Sequence, residues 1–166
     1  ESYRRKLAAF YQGIGIQVDH TEMLVTTGGS EAISFALMST VNPGEEVIVP
    51  EPFYANYNGF SVAAGVRVVP ITSSIESGFA LPPIEEFEKV ITPRTRGIII
   101  CNPNNPTGAV YPPDEVAAIA RWAAGHGIWI LTDEIYEHLV YDGARFSSLP
   151  VEVPEAADRI VVVNGV

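Results

Sequence analysis

The sequence predicts an α/β fold, a three-layer α/β/α arrangement in which helices cover both faces of a mostly parallel sheet. Short apolar strands alternate with helical segments along the 166 residues, which is typical of such sheets. The unusual polar segments follow predicted strands, at the edge where ligands bind in open parallel sheets. The length is that of one domain, and hydrophobic residues make up 47% of it, enough for a sizeable core.

The first half of the chain begins with a predicted helix at 1–12, where apolar side chains recur at helical spacing. A short apolar strand is predicted at 23–26. Ser30 then suits the N-cap of a helix that ends at the Asn-Pro-Gly sequence of residues 42–44. The next three predicted elements are a strand, a helix and a strand, at 47–49, 54–64 and 66–69.

The second half repeats this alternation after a predicted loop at 72–83. Its predicted elements are helix, strand, helix, strand and a final strand, at 84–90, 97–101, 114–124, 128–131 and 160–163. Prolines 112 and 113 precede the second of these helices and Gly125 follows it, which fixes both of its ends.

Composition excludes several classes of function. The formal net charge of −10 argues against binding to nucleic acids or to anionic membrane surfaces. No apolar run is long enough to span a membrane. Cys101 is the single cysteine and cannot form an internal disulfide, so a reduced, cytoplasmic setting is expected.

No metal site is predicted. His20, His126 and His138 share no metal-ligand spacing with Cys101, and no Ser–His–Asp set stands out. We interpret all three histidines as surface residues.

The turn at 28–30, which reads Gly-Gly-Ser, joins a predicted strand to a helix N-terminus. Glycines allow close approach of a ligand, and the first amides of a helix attract anions, so the turn can form a phosphate cup. An ordinary tight turn with a serine cap is the alternative. No lysine follows as a P-loop requires, and the Gly-Ile-Gly of residues 13–15 lacks the third glycine of a dinucleotide fingerprint.

Two further segments follow predicted strands. The 102–108 loop reads Asn-Pro-Asn-Asn-Pro-Thr-Gly; its prolines fix the backbone and its asparagines offer amide donors, although a rigid β-turn is the alternative. Asp133 and Glu134 could be a magnesium-binding pair, or two solvated acids at a strand end. A buried carboxylate at that point could instead pair with a protonated ring nitrogen.

Together these segments resemble the class I/II aminotransferases, the fold-type-I pyridoxal-phosphate-dependent family that includes aspartate aminotransferase. The resemblance runs from about residue 3 to residue 166. It is carried by the 102–108 loop, by Asp-Glu-Ile-Tyr at 133–136, by Gly-Gly-Ser-Glu-Ala at 28–32 and by Pro-Phe-Tyr at 52–54, in the family's order.

The resemblance implies that this chain is the central part of the family's large, pyridoxal 5'-phosphate-binding domain. The residues that match cofactor-binding positions of the family are Gly28, Gly29, Ser30, Tyr54, Asn105, Asp133 and Tyr136. The first three would form the phosphate cup, and Tyr54 would stack on the pyridine ring. Asn105 and Tyr136 would bind the ring's phenolic oxygen. Asp133 would keep the pyridine nitrogen protonated, which makes the ring an electron sink.

The resemblance also leads us to expect a domain truncated at both ends, comprising residues 1–166. The family's Schiff-base lysine would come about two residues after Val166, so no catalytic residue is assigned within the sequence. The two lysines present, Lys6 and Lys89, are expected to be solvated. The fragment alone would then be inactive.

The implied activity of the parent protein is transfer of an amino group between an amino acid and a 2-oxo acid, in amino-acid metabolism. These small molecules are the expected partners, and the parent is expected to be a homodimer that binds neither nucleic acid nor membrane. Two alternatives stay open: a pyridoxal-phosphate-dependent carbon–sulfur lyase of the same fold, and a non-catalytic aminotransferase-like domain that senses pyridoxal phosphate.

Overall fold

A single all-parallel sheet organises the computed structural model, which describes residues 1–165. Its five strands are β1 (Glu46–Glu51), β2 (Arg67–Thr72), β3 (Thr95–Cys101), β4 (Trp129–Asp133) and β5 (Ile160–Val163), in the spatial order β2-β1-β3-β4-β5. From β1 the chain first adds β2 on one side and then crosses to add β3, β4 and β5 on the other. The direction of growth therefore reverses between β1 and β3, and open α/β sheets bind ligands at such a switch point.

Two helices precede β1, and four lie between successive strands. They are α1 (Ser2–Gly13), α2 (Gly29–Thr40), α3 (Asn56–Ala63), α4 (Ile84–Val90), α5 (Pro113–Gly125) and α6 (Leu149–Glu152). Short 3₁₀ turns lie at His20–Glu22, Ile75–Ser77 and Pro154–Arg159. No helix within residues 1–165 is both long enough and apolar enough to cross a membrane.

The sheet is covered on both faces, which confirms the predicted three layers. Ile98 and Ile100 pack with residues of α4, α5 and α6, whereas Ile99 packs with residues of α2 and α3 on the other side. All three isoleucines are fully buried. A strand buried on both faces reads as a continuous apolar run, which is why the sequence of β3 predicts it well.

The strand predicted at 23–26 is wrong. This stretch is irregular, and the side chains of Leu24 and Val25 are 70% and 50% exposed. An apolar run forms a strand only where a neighbouring strand can pair with it, and no strand of the described residues lies beside this one.

Most other predicted elements are confirmed, with shifted ends. The helix predicted from residue 54 begins at Asn56, and β1 continues through Pro50 to Glu51. Pro50 lies beyond Ile48↔Ile98, the last residue pair of β1 and β3. Its missing N–H therefore interrupts no hydrogen bond on that side of the strand.

The amino edge of the sheet is tied together by a buried acid, Glu46. Its carboxylate, in a residue only 1% exposed, accepts hydrogen bonds from Thr92 Oγ1 at 2.6 Å, Arg94 Nη2 at 2.8 Å and Arg67 Nη1 at 3.3 Å. The Thr92 hydrogen bond and the two guanidinium groups lower the pKa of Glu46. This cluster joins the start of β1 to β2 and to the turn that precedes β3.

Candidate functional site

The polar segments singled out in the sequence meet at the carboxyl edge of the sheet. In the register of β3 and β4, Cys101 lies opposite Asp133, so the residues that follow both strands emerge side by side. The amide of Asn102 donates to the carbonyl of Asp133 at 3.0 Å. The loop after β1 reaches the same place from the other side of the switch point.

Asp133 is the last residue of β4 and is 7% exposed. Its Oδ2 accepts a 2.5 Å hydrogen bond from the Tyr57 hydroxyl, and its Oδ1 lies 3.4 Å from the amide of Ile135. Among residues 1–165, no arginine, lysine or histidine forms an ion pair with it. Burial raises the pKa of Asp133, and the hydrogen bonds from Tyr57 and Ile135 offset this only in part. The carboxylate is thus a buried acid without a counter-charge among the described residues.

Tyr57 is the site residue that sequence reasoning missed. It lies in α3, is fully buried, and its hydroxyl donates to Asp133 across 76 positions of sequence. Burial, and then the nearby Cys101 and Asp133, raise its pKa far above the ordinary tyrosine value, so it stays a proton donor. A signal was available in the sequence, because the helix predicted at 54–64 would place Tyr54 and Tyr57 on one side. In the structure Tyr54 precedes α3, and the amide of Tyr57 donates to its carbonyl at 2.9 Å.

Tyr54 lies beside this pair. Its ring packs edge-on against the ring of Tyr57, with centroids 5.6 Å apart, and its hydroxyl accepts a hydrogen bond from Asn56 at 2.7 Å. Tyr54 is only partly buried. Tyr54 is therefore more exposed than Tyr57, which is fully buried.

The 102–108 loop divides its asparagines between two tasks. Asn102 is buried and bonds the backbone of Tyr111 through both its side-chain oxygen and nitrogen. Asn104 is also buried, and its Oδ1 accepts from the amide and hydroxyl of Thr107. Asn102 and Asn104 therefore stabilise a rigid turn, as the alternative interpretation expected. The Asn105 side chain takes no part in these contacts.

Asn105 points to the next loop. Its Nδ2 lies 3.4 Å from the hydroxyl of Tyr136, and both residues are only partly buried. The structure thus brings together two residues that are 31 positions apart in sequence. Their amide and hydroxyl donors are close enough to bind one acceptor oxygen jointly.

The turn at 28–30 lies against the segment that follows β4. A Cβ added to Gly29 would come within 3.1 Å of the Ile135 side chain, so glycine permits this close approach. Helix α2 begins at Gly29, and Gly28 and Ser30 are exposed. The start of an α-helix with open amides and a free serine hydroxyl has the character of an anion site.

Glu134 is not a solvated acid, and neither is Asp133. Glu134 is 1% exposed and faces away from Asp133, as strand alternation predicts. Its carboxylate accepts from Thr132 Oγ1, Ser148 Oγ and the amide of Leu149. Because the two carboxylates bond different sets of donors, they do not converge as a metal-binding pair would; no cluster of potential metal ligands occurs within residues 1–165.

The histidines and lysines lie outside this group of residues. His126 and His138 are exposed as expected, but the His20 side chain is only 15% exposed. Its ring lies 3.1 Å from the carboxylate of Asp19 and 3.8 Å from that of Glu1. Lys6 and Lys89 are both exposed, as predicted.

Comparison with known proteins identifies the family. The family model for aminotransferase class I and II matches residues 1–166. The chain belongs to this family. An aspartate aminotransferase of Streptomyces avermitilis is 46% identical over 152 residues, which are 92% of this chain and 37% of that protein.

Solved structures of class I and II aminotransferases share the fold. An aspartate aminotransferase of Thermus thermophilus has a TM-score of 0.88 at 40% identity, covering 98% of this chain and 41% of its own. The N-succinyldiaminopimelate aminotransferase of Mycobacterium tuberculosis has a TM-score of 0.90 at 39% identity, covering 97% and 42% respectively. This chain thus spans about two fifths of the length of the aminotransferases that it matches.

Proposed function

We propose that this chain forms the cofactor cradle of a pyridoxal-phosphate-dependent aminotransferase that moves an amino group between an amino acid and a 2-oxo acid. The observation that carries the proposal is Asp133, a carboxylate buried at the carboxyl edge of the sheet without a counter-charge among residues 1–165. A cationic ring nitrogen would supply that charge. The family membership of the chain supports the same proposal.

The described residues fit pyridoxal phosphate on three independent points. Asp133 is buried and faces no cation of the described chain. Asn105 and Tyr136 present two donors 3.4 Å apart, suited to one phenolic oxygen. The turn before α2 keeps its backbone open through Gly29, where a side chain would meet Ile135. A ring nitrogen, a phenolic oxygen and a phosphate are three polar features of the cofactor, which also carries an aldehyde.

Pyridoxal phosphate, when bound, supplies a protonated pyridine ring that withdraws electrons from the substrate's Cα. Asp133 would hold the proton on the ring nitrogen, because its ionised form is stabilised by a nearby positive charge. The Tyr57 hydroxyl fixes the orientation of that carboxylate. Tyr54 would stack on the ring face.

The remaining cradle residues would bind the two ends of the cofactor. Asn105 and Tyr136 would donate to the phenolic oxygen and stabilise its negative charge. Gly28, Gly29 and Ser30 would receive the phosphate at the start of α2, where the helix dipole favours an anion.

Neither lysine of the sequence is proposed to react with the cofactor. Lys89 pairs with Glu86 at 2.5 Å on the surface of α4, and Lys6 is exposed on α1. The greater part of the matched aminotransferases has no counterpart in these residues. We further propose that the parent enzyme is a homodimer, as the family resemblance implies. We also propose that it is cytoplasmic, since the single cysteine is free.

The names of the relatives favour amino transfer over carbon–sulfur cleavage. They include an aspartate/prephenate aminotransferase of Cereibacter sphaeroides, 39% identical over 153 residues. They also include an arginine–pyruvate transaminase of Pseudomonas aeruginosa, 38% identical over 150 residues. Because donors as different as aspartate and arginine occur at similar identity, the proposal stops at the class of amino acid and 2-oxo acid.

The test uses the full-length protein loaded with pyridoxal phosphate. It is given a panel of amino acids with 2-oxoglutarate or pyruvate as acceptor, and the new amino acid and 2-oxo acid are quantified. Equal amounts of both products are expected for at least one pair, with Asp133→Asn strongly impaired. Release of thiol from sulfur amino acids without transfer would instead indicate a lyase. Cofactor binding without turnover of any substrate would indicate a sensing domain.

A further inference from the structure

Glu134 is a buried carboxylate that the proposed cofactor site does not use. Its Oε1 accepts from Thr132 Oγ1 and from the amide of Leu149, both at 3.0 Å, and its Oε2 accepts from Ser148 Oγ at 2.5 Å. The side chain faces the α5 and α6 side of the sheet, away from Asp133. Both carboxylate oxygens are thus held by donors of the chain itself, which link residues before and after the segment 135–147.

These hydrogen bonds close a loop at its base. We call residues 135–147 the tip loop, since they connect the tip of β4 to the residues that lead into α6. Thr132 precedes this loop, and Ser148 and Leu149 follow it. The amide of Glu134 also donates to the carbonyl of Val163 at 2.8 Å, which adds the end of β5. One residue thus joins β4, β5 and the start of α6.

The tip loop carries Tyr136. The carbonyl of Glu134 accepts from the amide of Glu137 at 2.9 Å, and the carbonyl of Tyr136 accepts from the amide of Leu139 at 2.7 Å. Tyr136 is therefore held in two consecutive turns that begin at Glu134. Its hydroxyl lies 3.4 Å from Asn105, so a small shift of these turns would separate the two donors.

We infer that Glu134 is a positioning residue: by joining β4 to the start of α6 it closes the tip loop and holds the Tyr136 hydroxyl beside Asn105. The importance of that hydroxyl rests on the proposed function. Closure of the loop does not, because all of the groups involved belong to the chain itself.

The contacts indicate that hydrogen-bond geometry, not charge, does the holding. In a glutamine at this position, the side-chain oxygen can accept from Thr132 and Leu149. Its amide nitrogen can donate to the Ser148 hydroxyl, because a hydroxyl both donates and accepts. Alanine would leave the buried Leu149 amide without an acceptor, which is costly. Glu134→Gln is therefore expected to keep the loop closed, and Glu134→Ala to open it.

Hydrogen exchange on the full-length protein without cofactor tests the inference. In Glu134→Ala, the amides of Glu137, Leu139 and Leu149 should exchange about ten-fold faster or more, while amides of β3 keep their wild-type rates. Glu134→Gln should stay near wild type. Glu155→Ala is the control, since Glu155 lies in the 3₁₀ turn Pro154–Arg159 and its carboxylate pairs with Arg121 of α5 at 2.8 Å, outside the tip loop.

Two results would overturn the inference. If the tip-loop amides of Glu134→Gln exchange as fast as those of Glu134→Ala, the charge of Glu134 and not its hydrogen bonding keeps the loop closed. If exchange rises equally across all five strands, Glu134 only stabilises the fold. Ser148→Ala, which removes one of the three donors, covers the case in which Glu134→Ala does not fold; it should speed exchange in the tip loop by a smaller factor and leave β3 unchanged.

A functional readout separates this inference from the proposed function. In the loaded protein, Glu134→Ala should lower the transamination rate and Glu134→Gln should restore most of it, in parallel with the exchange data. Failure of the wild-type protein to bind pyridoxal phosphate would refute the proposed function, and the exchange result would still decide whether Glu134 closes the loop.

Discussion

The two edges of the sheet each contain a buried acid, and the acids have opposite surroundings. At the amino edge, Glu46 accepts hydrogen bonds from two arginines and a threonine, and its pKa is lowered. At the carboxyl edge, Asp133 has a tyrosine hydroxyl and a distant amide, and its pKa is raised. A chain that supplies the counter-charge itself has built a structural contact. Asp133 lacks such a counter-charge among the described residues, and our proposal is that a cation on a bound ligand supplies it.

The largest effect is expected for substitution of Asp133, which we propose acts on the cofactor, whereas Glu46 only stabilises the fold. Asp133→Ala in the full-length enzyme should raise the barrier to proton abstraction by several kcal/mol, because a preorganised charge at the ring nitrogen is lost. Asp133→Glu should be milder, since the charge is kept and only the distance changes. Single-turnover conversion of the cofactor to its amine form measures both. A near-normal single-turnover rate in Asp133→Ala would show that Asp133, like Glu46, has no role at the cofactor.

Glu134 sharpens the comparison, because it has three neutral donors and no arginine. Burial raises its pKa to about 7 despite these hydrogen bonds. A folded-state pKa above the unfolded value means that the folded state binds the proton more tightly. This group therefore makes the protein more stable as pH falls from about 7 towards the ordinary glutamate value.

Glu134→Gln should remove this pH dependence. Above neutral pH the variant should be more stable than wild type by on the order of 2–3 kcal/mol, and the difference should vanish in mildly acidic buffer. Urea unfolding at a series of pH values measures it. A constant difference at all pH values would show that the ionisation of Glu134 is not what matters.

Glu46 should behave in the opposite sense. Its lowered pKa stabilises the fold above the ordinary glutamate pKa, and this contribution is lost as pH falls through the folded-state value. Glu46→Gln should cost about 1–2 kcal/mol at neutral pH, a modest amount because both arginines are mostly exposed and can turn to solvent. The loss should shrink in acid, and transamination at neutral pH should be unchanged while the protein remains folded.

The smallest expected effect concerns Tyr57. Tyr57→Phe removes the hydrogen bond to Asp133 and keeps the packing of the ring, so we expect a loss of about 1 kcal/mol in cofactor affinity. The pKa of Asp133 in the cofactor-free protein should rise further, because a donor that favours its ionised form is gone. Spectroscopic titration with pyridoxal phosphate gives the affinity. Phe53→Leu, also beside Tyr57 but without a polar contact to Asp133, is the matched control.

The sequence predicted the three layers, all five strands of the described sheet, and the position of Asn105, Asp133 and Tyr136 at one edge of it. It did so because a parallel sheet fixes where strand ends meet, and because β3 and β4 contain continuous apolar runs at 98–101 and 129–131. Cofactor binding by the seven matched residues remains a prediction that the experiments above address.

The failures have a common physical cause. Residues 23–26 have the apolar and β-branched composition of a strand, but their side chains are largely exposed. A strand forms only where a second strand pairs with it, and composition does not show whether one is present. Tyr57 and Glu134 were missed as buried polar residues because their partners, Asp133 and Ser148, are brought to them only by the tertiary fold. The periodicity of a sequence indicates which face of a strand or helix a residue occupies. It does not identify the hydrogen-bond partner that another element brings to that residue.

The all-parallel pairing of the strands has a consequence for how the protein folds. At least one helix separates each strand from its sheet neighbours along the chain, so all sheet contacts are distant in sequence, and such topologies form slowly. The Tyr57–Asp133 bond, which spans the β1–β3–β4 part of the sheet, exists only once these strands are assembled. A ligand that needs Asp133 in place therefore binds the completed fold and not its precursors, and by mass action it would draw late folding intermediates towards the native state.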